Sequence, residues 1–381
     1  MATTNKTTNK GQQTEEVLRS YFLRAGFFVV RGIELRYGGS DLTDIDLWVY
    51  ERSATLARRR TIIDIKDKQR PQAIGRLFFV NGVAKVIGVE GVGIATTDRN
   101  PALRELAQKH RVLWIDGDDL KRLKSSTQVA QADRLTEEEL LTLVAEVDGN
   151  RSANKLLKNR IDEAKSSIGD RFGAPSANLS IESFHFLADA AIKSHPTSQS
   201  ASVLIRLSLL MASYAAASLD FSSADAALRP FEERVAAMAN GIRFGSNSAD
   251  TYEKLDWMVN ALREYAPQSN NMGLDVKKRI LEDIKGVPAE GLAEVTVKLS
   301  NSNKLFAIAR ELESCAYSKA SPNFDVLSID AKSFVGAMLD FCDLERKLFA
   351  QAAPTQPVSG EPTQKAKDSP KSKDTAQEKL L

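Results

Sequence analysis

The chain has 381 residues with 52 Lys+Arg, 50 Asp+Glu and 43% hydrophobic residues, a composition typical of a soluble globular protein. A single hydrophobic core stops growing beyond roughly 250–300 residues, so this length favours two folded domains. Two cysteines are too few for a disulfide scaffold, and with three histidines they show no zinc-ligand spacing, which favours a reducing, cytoplasmic setting.

The first residues of the chain are polar. Residues 1–10 carry no apolar run of the kind found in secretory signals, so we expect a flexible lead. The most apolar later stretch, Ser208 to Leu219, is shorter than the roughly 20 residues that a bilayer-spanning helix needs. We therefore expect a buried helix there and no membrane partner.

Charge is divided unevenly along the chain. Residues 1–125 carry 22 Lys+Arg and 15 Asp+Glu, a net charge of +7, whereas the remainder carries 30 and 35, a net charge of −5. A moderately basic N-terminal part suits a protein that contacts phosphate backbones.

The N-terminal third alternates between helical and strand-like patterns. Apolar spacing predicts an amphipathic helix from Gln12 to Ala25, with Gly26 placed to end it. Period-two alternation predicts strands at 27–36, 44–50 and 61–66. After Pro71 the pattern predicts a helix to about Val83, a strand at 92–96, a helix at 101–109, a strand at 112–115 and a helix from Asp118.

Past about Ser125 the strand pattern stops and helical segments replace it. Thr136 and Glu139 match a capping box that opens one helix. Further helices are predicted over 150–169, 179–194, 198–219, 225–240, 249–265, 274–285, 303–316 and 329–349. They show no fixed repeat period, which favours an irregular helical bundle. From Gln351 onward almost nothing apolar is left, which predicts disorder.

These patterns predict the organisation of the whole chain. After the lead, residues 11–125 form an α/β domain with the order α-β-β-β-α-β-α-β-α. Residues 126–350 form an all-α domain, and residues 351–381 form a disordered C-terminal tail.

Acidic residues interrupt the apolar pattern of two neighbouring predicted strands. Asp44 and Asp46 share one face of the second strand, and Asp64 and Lys66 share one face of the third. If these strands pair as a hairpin, Asp46 lies close to Asp64, with Lys66 one same-face step of roughly 6–7 Å further along. Adjacent like charges are destabilising unless a cation neutralises them, and Mg²⁺ does so with oxygen ligands. The pattern therefore predicts a metal site.

This stretch resembles the PD-(D/E)XK nucleases, the restriction-endonuclease-like superfamily, and within it the Mrr-like and Holliday-junction-resolvase-like branches. Asp64-Ile65-Lys66 matches the (D/E)XK element, and Asp46 matches the upstream metal-binding aspartate. The predicted strand order resembles the αβββαβ core of that superfamily over roughly residues 11–120. No proline precedes Asp46 and aspartate replaces the commoner glutamate at position 64, which leaves the choice between Asp44 and Asp46 open.

The first helix adds a further point of similarity. Glu15 matches the acidic residue that these branches place ahead of a Gly-Phe pair, here Gly26-Phe27. Glu15 is then either a metal ligand, directly or through water, or simply an acidic residue favoured near a helix N-terminus by the helix dipole.

The resemblance implies a mechanism. Asp46, Asp64, the Ile65 carbonyl and Glu15 would hold one or two Mg²⁺ ions, with Mn²⁺ as a substitute, which polarise the scissile phosphate and activate a water. Lys66 would orient or deprotonate that water, or stabilise the negative charge of the transition state. The catalytic set would therefore be Asp46, Asp64, Lys66 and Glu15.

Basic and polar residues follow this site along the chain. Lys68, Arg70, Gln72 and Arg76 are predicted to contact a nucleic-acid backbone. Residues 58–60, three successive arginines at the predicted hairpin tip, either contact phosphate or form an ordinary solvated turn.

Two classes of function are compatible with these features. The first is a Mg²⁺-dependent DNA endonuclease acting in defence against foreign DNA or in processing of branched DNA, whose helical region dimerises, recognises DNA or docks a protein partner. The alternative is a nucleic-acid-binding or partner-docking module on a nuclease fold with weak or no cleavage. RNA is a further possible substrate, because the same chemistry acts on any phosphodiester.

Overall fold

A computed structural model of the chain describes residues 10–37, 40–67, 72–127, 133–149, 155–196, 198–245, 248–266 and 270–353. The predicted lead apart from Lys10, the residues Lys68 and Arg70, and the predicted tail from residue 354 onward lie outside the described residues. The strands are β1 (Phe28–Tyr37), β2 (Ser40–Arg52), β3 (Arg58–Lys66), β4 (Gly91–Thr96) and β5 (Leu113–Ile115).

Helices flank and follow these strands. In the N-terminal third they are α1 (Lys10–Arg24), α2 (Ala73–Ile87), α3 (Pro101–Lys109) and α4 (Gly117–Thr127). Beyond it they are α5 (Glu137–Asp148), α6 (Leu156–Arg171), α7 (Ala174–Lys193), α8 (Gln199–Ser222), α9 (Phe231–Phe244), α10 (Ser248–Tyr265), α11 (Asn270–Gly286), α12 (Glu290–Asn301), α13 (Lys304–Ala316), α14 (Ile329–Phe341) and α15 (Arg346–Ala352). The predicted order of elements up to residue 127 is confirmed, and the rest of the described chain is mostly helical.

The strands form one mixed sheet in the order β1-β2-β3-β4-β5. The first three are antiparallel, and β3, β4 and β5 are parallel, so α2 and α3 serve as the crossover connections that parallel strands require. Gly93 of β4 lies opposite Ile63 of β3, where an added Cβ would come within 3.1 Å of the isoleucine side chain. The lack of a side chain there lets the two strands pack closely.

Both faces of the sheet are covered. On one face, Leu18 and Phe22 of α1 and Leu120 of α4 pack against Leu47 and Ile63. On the other, α2 packs beside Trp48 and Ile62, and this apolar cluster continues without a break into the helical region. The bulk of the molecule is therefore organised around the face of the sheet that carries Trp48.

The continuous core joins the two predicted domains. The rings of Trp48 in β2 and Phe172 after α6 have centroids 4.5 Å apart, and those of Tyr50 and Phe306 in α13 are 5.5 Å apart. The change near residue 126 is therefore a change in secondary structure within a shared core.

Helix α8 is the central helix of the helical region. Every residue from Val203 to Asp220 is buried, and α7 and α13 pack against it. Among the described residues, α8 is the one helix whose length and apolar composition would suffice to span a membrane, and 94% of that stretch is buried inside the protein.

The predicted helices of this region correspond to observed ones with two exceptions. Helix α12 was not predicted, although it buries Leu292, Ala293 and Val297. The segment predicted as one helix at 329–349 is two helices, α14 and α15, and the second extends to Ala352, into the segment predicted as tail. Phe349 and Ala352 are buried, and this burial keeps the segment folded.

A network of buried charges joins α1 and β1 to the helical region. Arg19 of α1 is hydrogen-bonded to Glu137 of α5 at 3.1 Å and to Glu313 of α13 at 3.0 Å, and it lies 3.9 Å from the centre of the Tyr317 ring. Further members of the network are Glu15, Glu16, Arg31, Arg134, Glu138 and Lys165. Buried charges of this kind are tolerated because each is paired with at least one charge of opposite sign.

Candidate functional site

The pairing of β2 with β3 ends just where the acidic residues begin. The described register runs from the hairpin to the pair Leu47 and Ile63, whereas β3 continues to pair with β4 as far as Lys66. Beyond the last pair, the Asp46 carboxylate accepts a hydrogen bond of 2.6 Å from the Ile65 backbone N–H. A side chain thus takes the place of the backbone acceptor that would continue the ladder.

Three of the predicted site residues lie together at this point. The Lys66 ammonium lies 3.4 Å from Asp46 Oδ2 and 3.5 Å from Asp64 Oδ1. The Asp46, Asp64 and Lys66 side chains are 17%, 6% and 26% exposed, so the cluster is largely withdrawn from solvent yet reachable from it. Asp44 is exposed and lies opposite Glu34 of β1, so Asp46 is the aspartate of this strand that meets Lys66.

Helix α2 brings a fourth charged residue to the cluster. Arg76 donates to both oxygens of Asp64, with its Nε 2.9 Å from Oδ2 and its terminal nitrogen on Oδ1. Its guanidinium lies over the Phe79 ring, 4.2 Å from the centroid. Arg76 was predicted to contact nucleic acid, and the structure places it on the Asp64 carboxylate. Gln72 is exposed at the start of α2.

Helix α1 holds Glu15 beside the cluster but on a different partner. Arg31 of β1 donates to the Glu15 carboxylate at 2.8 Å. Burial raises the pKa of Glu15, Arg31 opposes this, and the negative charge of Asp46 adds to the increase. Glu15 therefore lies near enough to experience the charge of Asp46, while its ion-pair partner is Arg31.

The two aspartates of the cluster raise the cost of each other's ionised form. Burial is the largest cause of the raised pKa of Asp46, Lys66 and the Ile65 N–H oppose it, and the charge of Asp64 raises the pKa further. Two buried carboxylates that disfavour each other's ionised form are stabilised by a cation between them.

The donor set fits a hard divalent cation. The carboxylates of Asp46 and Asp64 and the Ile65 carbonyl are all oxygen donors, the type that Mg²⁺ and Mn²⁺ prefer. Within the described residues no group of three or more His, Cys, Asp or Glu side chains would complete a metal shell alone. Mg²⁺ normally takes one or two protein carboxylates and completes its shell with water and substrate phosphate, so a two-carboxylate site is sufficient.

Asp67, the residue after Lys66, has a structural role that the sequence did not reveal. Thr14 of α1 donates to its carboxylate at 2.6 Å and Lys124 of α4 at 2.7 Å, with Lys10 3.5 Å away. Burial would raise its pKa, but Lys124 and Thr14 outweigh this and lower it. Asp67 thereby fixes the end of β3, and with it Lys66, to the helices on the other face.

The three arginines at the β2–β3 hairpin are largely engaged within the protein. Arg58 donates to the Asp220 carbonyl at 2.8 Å and to Ser223 at 3.0 Å. Arg60 binds Glu90 at 2.6 Å. Arg58 therefore anchors the hairpin to α8, whereas Arg59 is 51% exposed and lies 3.9 Å from Glu51.

Comparison of the chain with models of known protein families, with curated proteins and with solved structures finds no match. Its function must be inferred from its own residues. Two acidic, oxygen-rich side chains with an ammonium and a guanidinium beside them can bind a divalent cation and a phosphate together.

Proposed function

We propose that the N-terminal α/β domain is a divalent-metal-dependent endonuclease that hydrolyses phosphodiester bonds of DNA, on a restriction-endonuclease-like αβββαβ core of the PD-(D/E)XK kind. The observation that carries this proposal is the position of the Lys66 ammonium where β2 and β3 part, 3.4 Å from the Asp46 carboxylate and 3.5 Å from the Asp64 carboxylate. Defence against foreign DNA and processing of branched DNA both suit such an activity.

Asp46, Asp64 and the Ile65 carbonyl would hold Mg²⁺ or Mn²⁺. When bound, the cation would supply positive charge to the scissile phosphate and lower the pKa of a water molecule. Glu15, held by Arg31 beside the cluster, suits a contact mediated by water and not a direct one.

The protein's own groups would position the reactants. Asp46 is fixed by the Ile65 N–H and Lys66 is fixed between two carboxylates, so neither needs to reorganise when substrate arrives. Lys66 would orient the attacking water, accept its proton or stabilise the additional negative charge on the phosphate. Lys68, Arg70 and Gln72 follow β3 in sequence and would position the backbone, in keeping with the net charge of +7 on residues 1–125.

One observation favours the alternative of a binding module without cleavage. Arg76 takes both oxygens of Asp64, and with Lys66 it balances the two negative charges of the cluster. An arrangement whose charges are already balanced is stable as a purely structural ion-pair cluster.

A cleavage assay on the full chain separates the two functions. Supercoiled, linear, branched and single-stranded DNA, and RNA, are incubated with the protein in Mg²⁺, Mn²⁺ or EDTA. We expect cleavage with metal and none in EDTA, and at least about a 100-fold loss in Asp46→Asn, Asp64→Asn and Lys66→Gln. Asp41→Asn, an exposed residue of the same strand as Asp46, serves as the matched control and should cleave normally.

Two results would overturn the nuclease proposal. The first is equal cleavage by the wild type and all the variants, because the activity would then not come from this cluster. The second is binding of DNA with steep salt dependence but no cleavage under any condition, which would establish the binding module instead. Cleavage of RNA alone would retain the chemistry and change the substrate.

A further inference from the structure

We propose that Arg76 couples metal binding to nucleic-acid binding, by exchanging the Asp64 carboxylate for a substrate phosphate when a divalent cation binds. This inference rests on the proposed function, because it assigns a task to a residue of that same site. It concerns a residue that lies outside the set of Asp46, Asp64 and Lys66.

A cation that binds Asp64 would compete with Arg76 for the same oxygens. Arg76 donates to both carboxylate oxygens of Asp64, in the paired geometry that makes arginine–carboxylate contacts strong. Lys66 lies further away, at 3.5 Å from Asp64, and divides its charge between two carboxylates. A cation that binds Asp64 must therefore weaken the contact with Arg76 more than the contact with Lys66.

The charges of the cluster are balanced when no cation is bound. Asp46 and Asp64 carry two negative charges, and Lys66 and Arg76 carry two positive charges. A divalent cation added to this balanced cluster leaves an excess of two positive charges in a largely buried place, which is unfavourable. A phosphodiester backbone brings negative charge to the same place and relieves the excess.

Arg76 is in a position to exchange the Asp64 carboxylate for a phosphate. Its side chain is 27% exposed and lies in the first turn of α2, with its guanidinium against the Phe79 ring. The planar fork that binds a carboxylate binds a phosphate in the same paired geometry. When Arg76 exchanges the Asp64 carboxylate for a phosphate, the number of strong hydrogen bonds that its guanidinium makes is therefore unchanged.

Coupling between two ligands must be reciprocal. If the phosphate backbone provides Arg76 with a new partner, it makes Asp64 available to the cation, and the cation in turn makes Arg76 available to the phosphate. Each ligand should therefore bind more tightly in the presence of the other.

The test measures Mn²⁺ binding to the full chain by electron paramagnetic resonance of free Mn²⁺, on ice, with and without a duplex oligonucleotide. In the wild type we expect the duplex to tighten Mn²⁺ binding by about 5–150-fold, the usual range of allosteric coupling. In Arg76→Gln we expect tighter Mn²⁺ binding without the duplex, and little further gain when the duplex is added. Arg76→Lys, which keeps the charge but not the fork, should show intermediate coupling.

A second readout does not depend on nucleic acid. Without added metal, Arg76→Gln should lower the melting temperature because Asp64 loses its paired partner, and Mn²⁺ should raise the melting temperature of this variant more than that of the wild type. The matched control is Arg104→Gln, since Arg104 pairs with Asp116 and Asp119 on a different part of the fold and should behave as the wild type in both measurements.

The two possible failures are distinguishable. If Mn²⁺ binds the wild type, depends on Asp64 and is unaffected by Arg76→Gln with or without the duplex, the coupling by Arg76 is wrong and the nuclease proposal is untouched. If Mn²⁺ binding is the same in the wild type and Asp64→Asn, the metal site itself is wrong and the coupling falls with it.

Discussion

A carboxylate inside a protein keeps its charge only when cations and donors surround it, and Glu137 is such a case. It is buried, and it contacts Lys165, the Arg19 guanidinium at 3.1 Å and the Tyr317 hydroxyl at 2.6 Å. Burial alone would raise the pKa of Glu137, but Lys165 and Arg19 outweigh it and lower the pKa from 4.5 to about 2.

The lowered pKa of Glu137 predicts how stability depends on pH. A depressed folded-state pKa contributes stability that is complete above about pH 4.5 and is lost as the pH falls toward 2. Glu137→Gln should therefore lower the free energy of unfolding by about 3–5 kcal/mol at pH 7, with a smaller difference from the wild type at pH 3. Urea unfolding at pH 7, 5, 4 and 3 measures both.

Glu146→Gln is the control for this prediction, because Glu146 lies on the same helix but is exposed. It should change the free energy of unfolding little at any of these pH values. A constant difference between Glu137→Gln and the wild type from pH 7 to pH 3 would contradict the role assigned to Glu137.

The strand pattern predicts more of the cluster than the helix pattern does. Alternation along two neighbouring strands places Asp46, Asp64 and Lys66 near one another because the period of a strand and the spacing of strands are fixed. The contact of Arg76 with Asp64 was not predicted, since the angle at which α2 crosses the sheet is set by packing and not by local sequence. The contact of Glu15 on α1 with Arg31 on β1 was not predicted for a similar reason.

At the level of elements, helix α6 lies along β1, which is an edge strand of the sheet. An uncovered edge strand presents free backbone groups to other chains, so a helix packed along it protects it. Gly169 of α6 makes the approach possible, since an added Cβ would lie 2.9 Å from Ile33 Cγ2 and 3.7 Å from Ile45 Cδ1.

This close approach predicts opposite effects for two Gly→Ala substitutions in helices. Gly169→Ala should destabilise the protein by about 1–3 kcal/mol, because the new methyl group overpacks the contact with Ile33. Gly82→Ala in α2, where the added Cβ meets nothing within 4 Å, should stabilise it by about 0.5–1 kcal/mol through the better helix propensity of alanine. Denaturant midpoints of the two variants decide this, and stabilisation by Gly169→Ala would refute the packing argument.

Helix ends were predicted best where a side chain marks them. The capping box of Thr136 and Glu139 is present in the structure, with both reciprocal hydrogen bonds.

Helix α12 was missed because Val295, Thr296 and Val297 lower its intrinsic helix propensity, and burial against its neighbours compensates for this. The break between α14 and α15 was missed because no glycine or proline marks it. Asp343 adopts the left-handed conformation there, with φ of 56°.

On the scale of the whole molecule, Asp220 fastens the sheet to the helical region. It is fully buried near the end of α8, and it binds Arg52 and the Tyr50 hydroxyl, the latter at 2.6 Å. Arg58 also donates to its backbone carbonyl. All of these partners lie on the β2–β3 hairpin. The strands that carry the candidate site are thus held by the helical region at the hairpin end, and their pairing stops at Leu47 and Ile63 at the other.

A shared core and a shared buried carboxylate predict that the chain unfolds as one cooperative unit. Asp220→Asn should lower the free energy of unfolding by about 3–5 kcal/mol, because Arg52 and Arg58 are left buried with a neutral partner. Calorimetry should show one transition that moves to lower temperature as a whole, and hydrogen exchange should speed up equally in β3 and α7.

Asp256→Asn, which removes an exposed charge paired with Lys277, should leave the transition almost unchanged. Two transitions, of which Asp220→Asn moves only one, would mean that the sheet and the helices are separate folding units and that the contacts between them contribute little to holding the candidate site.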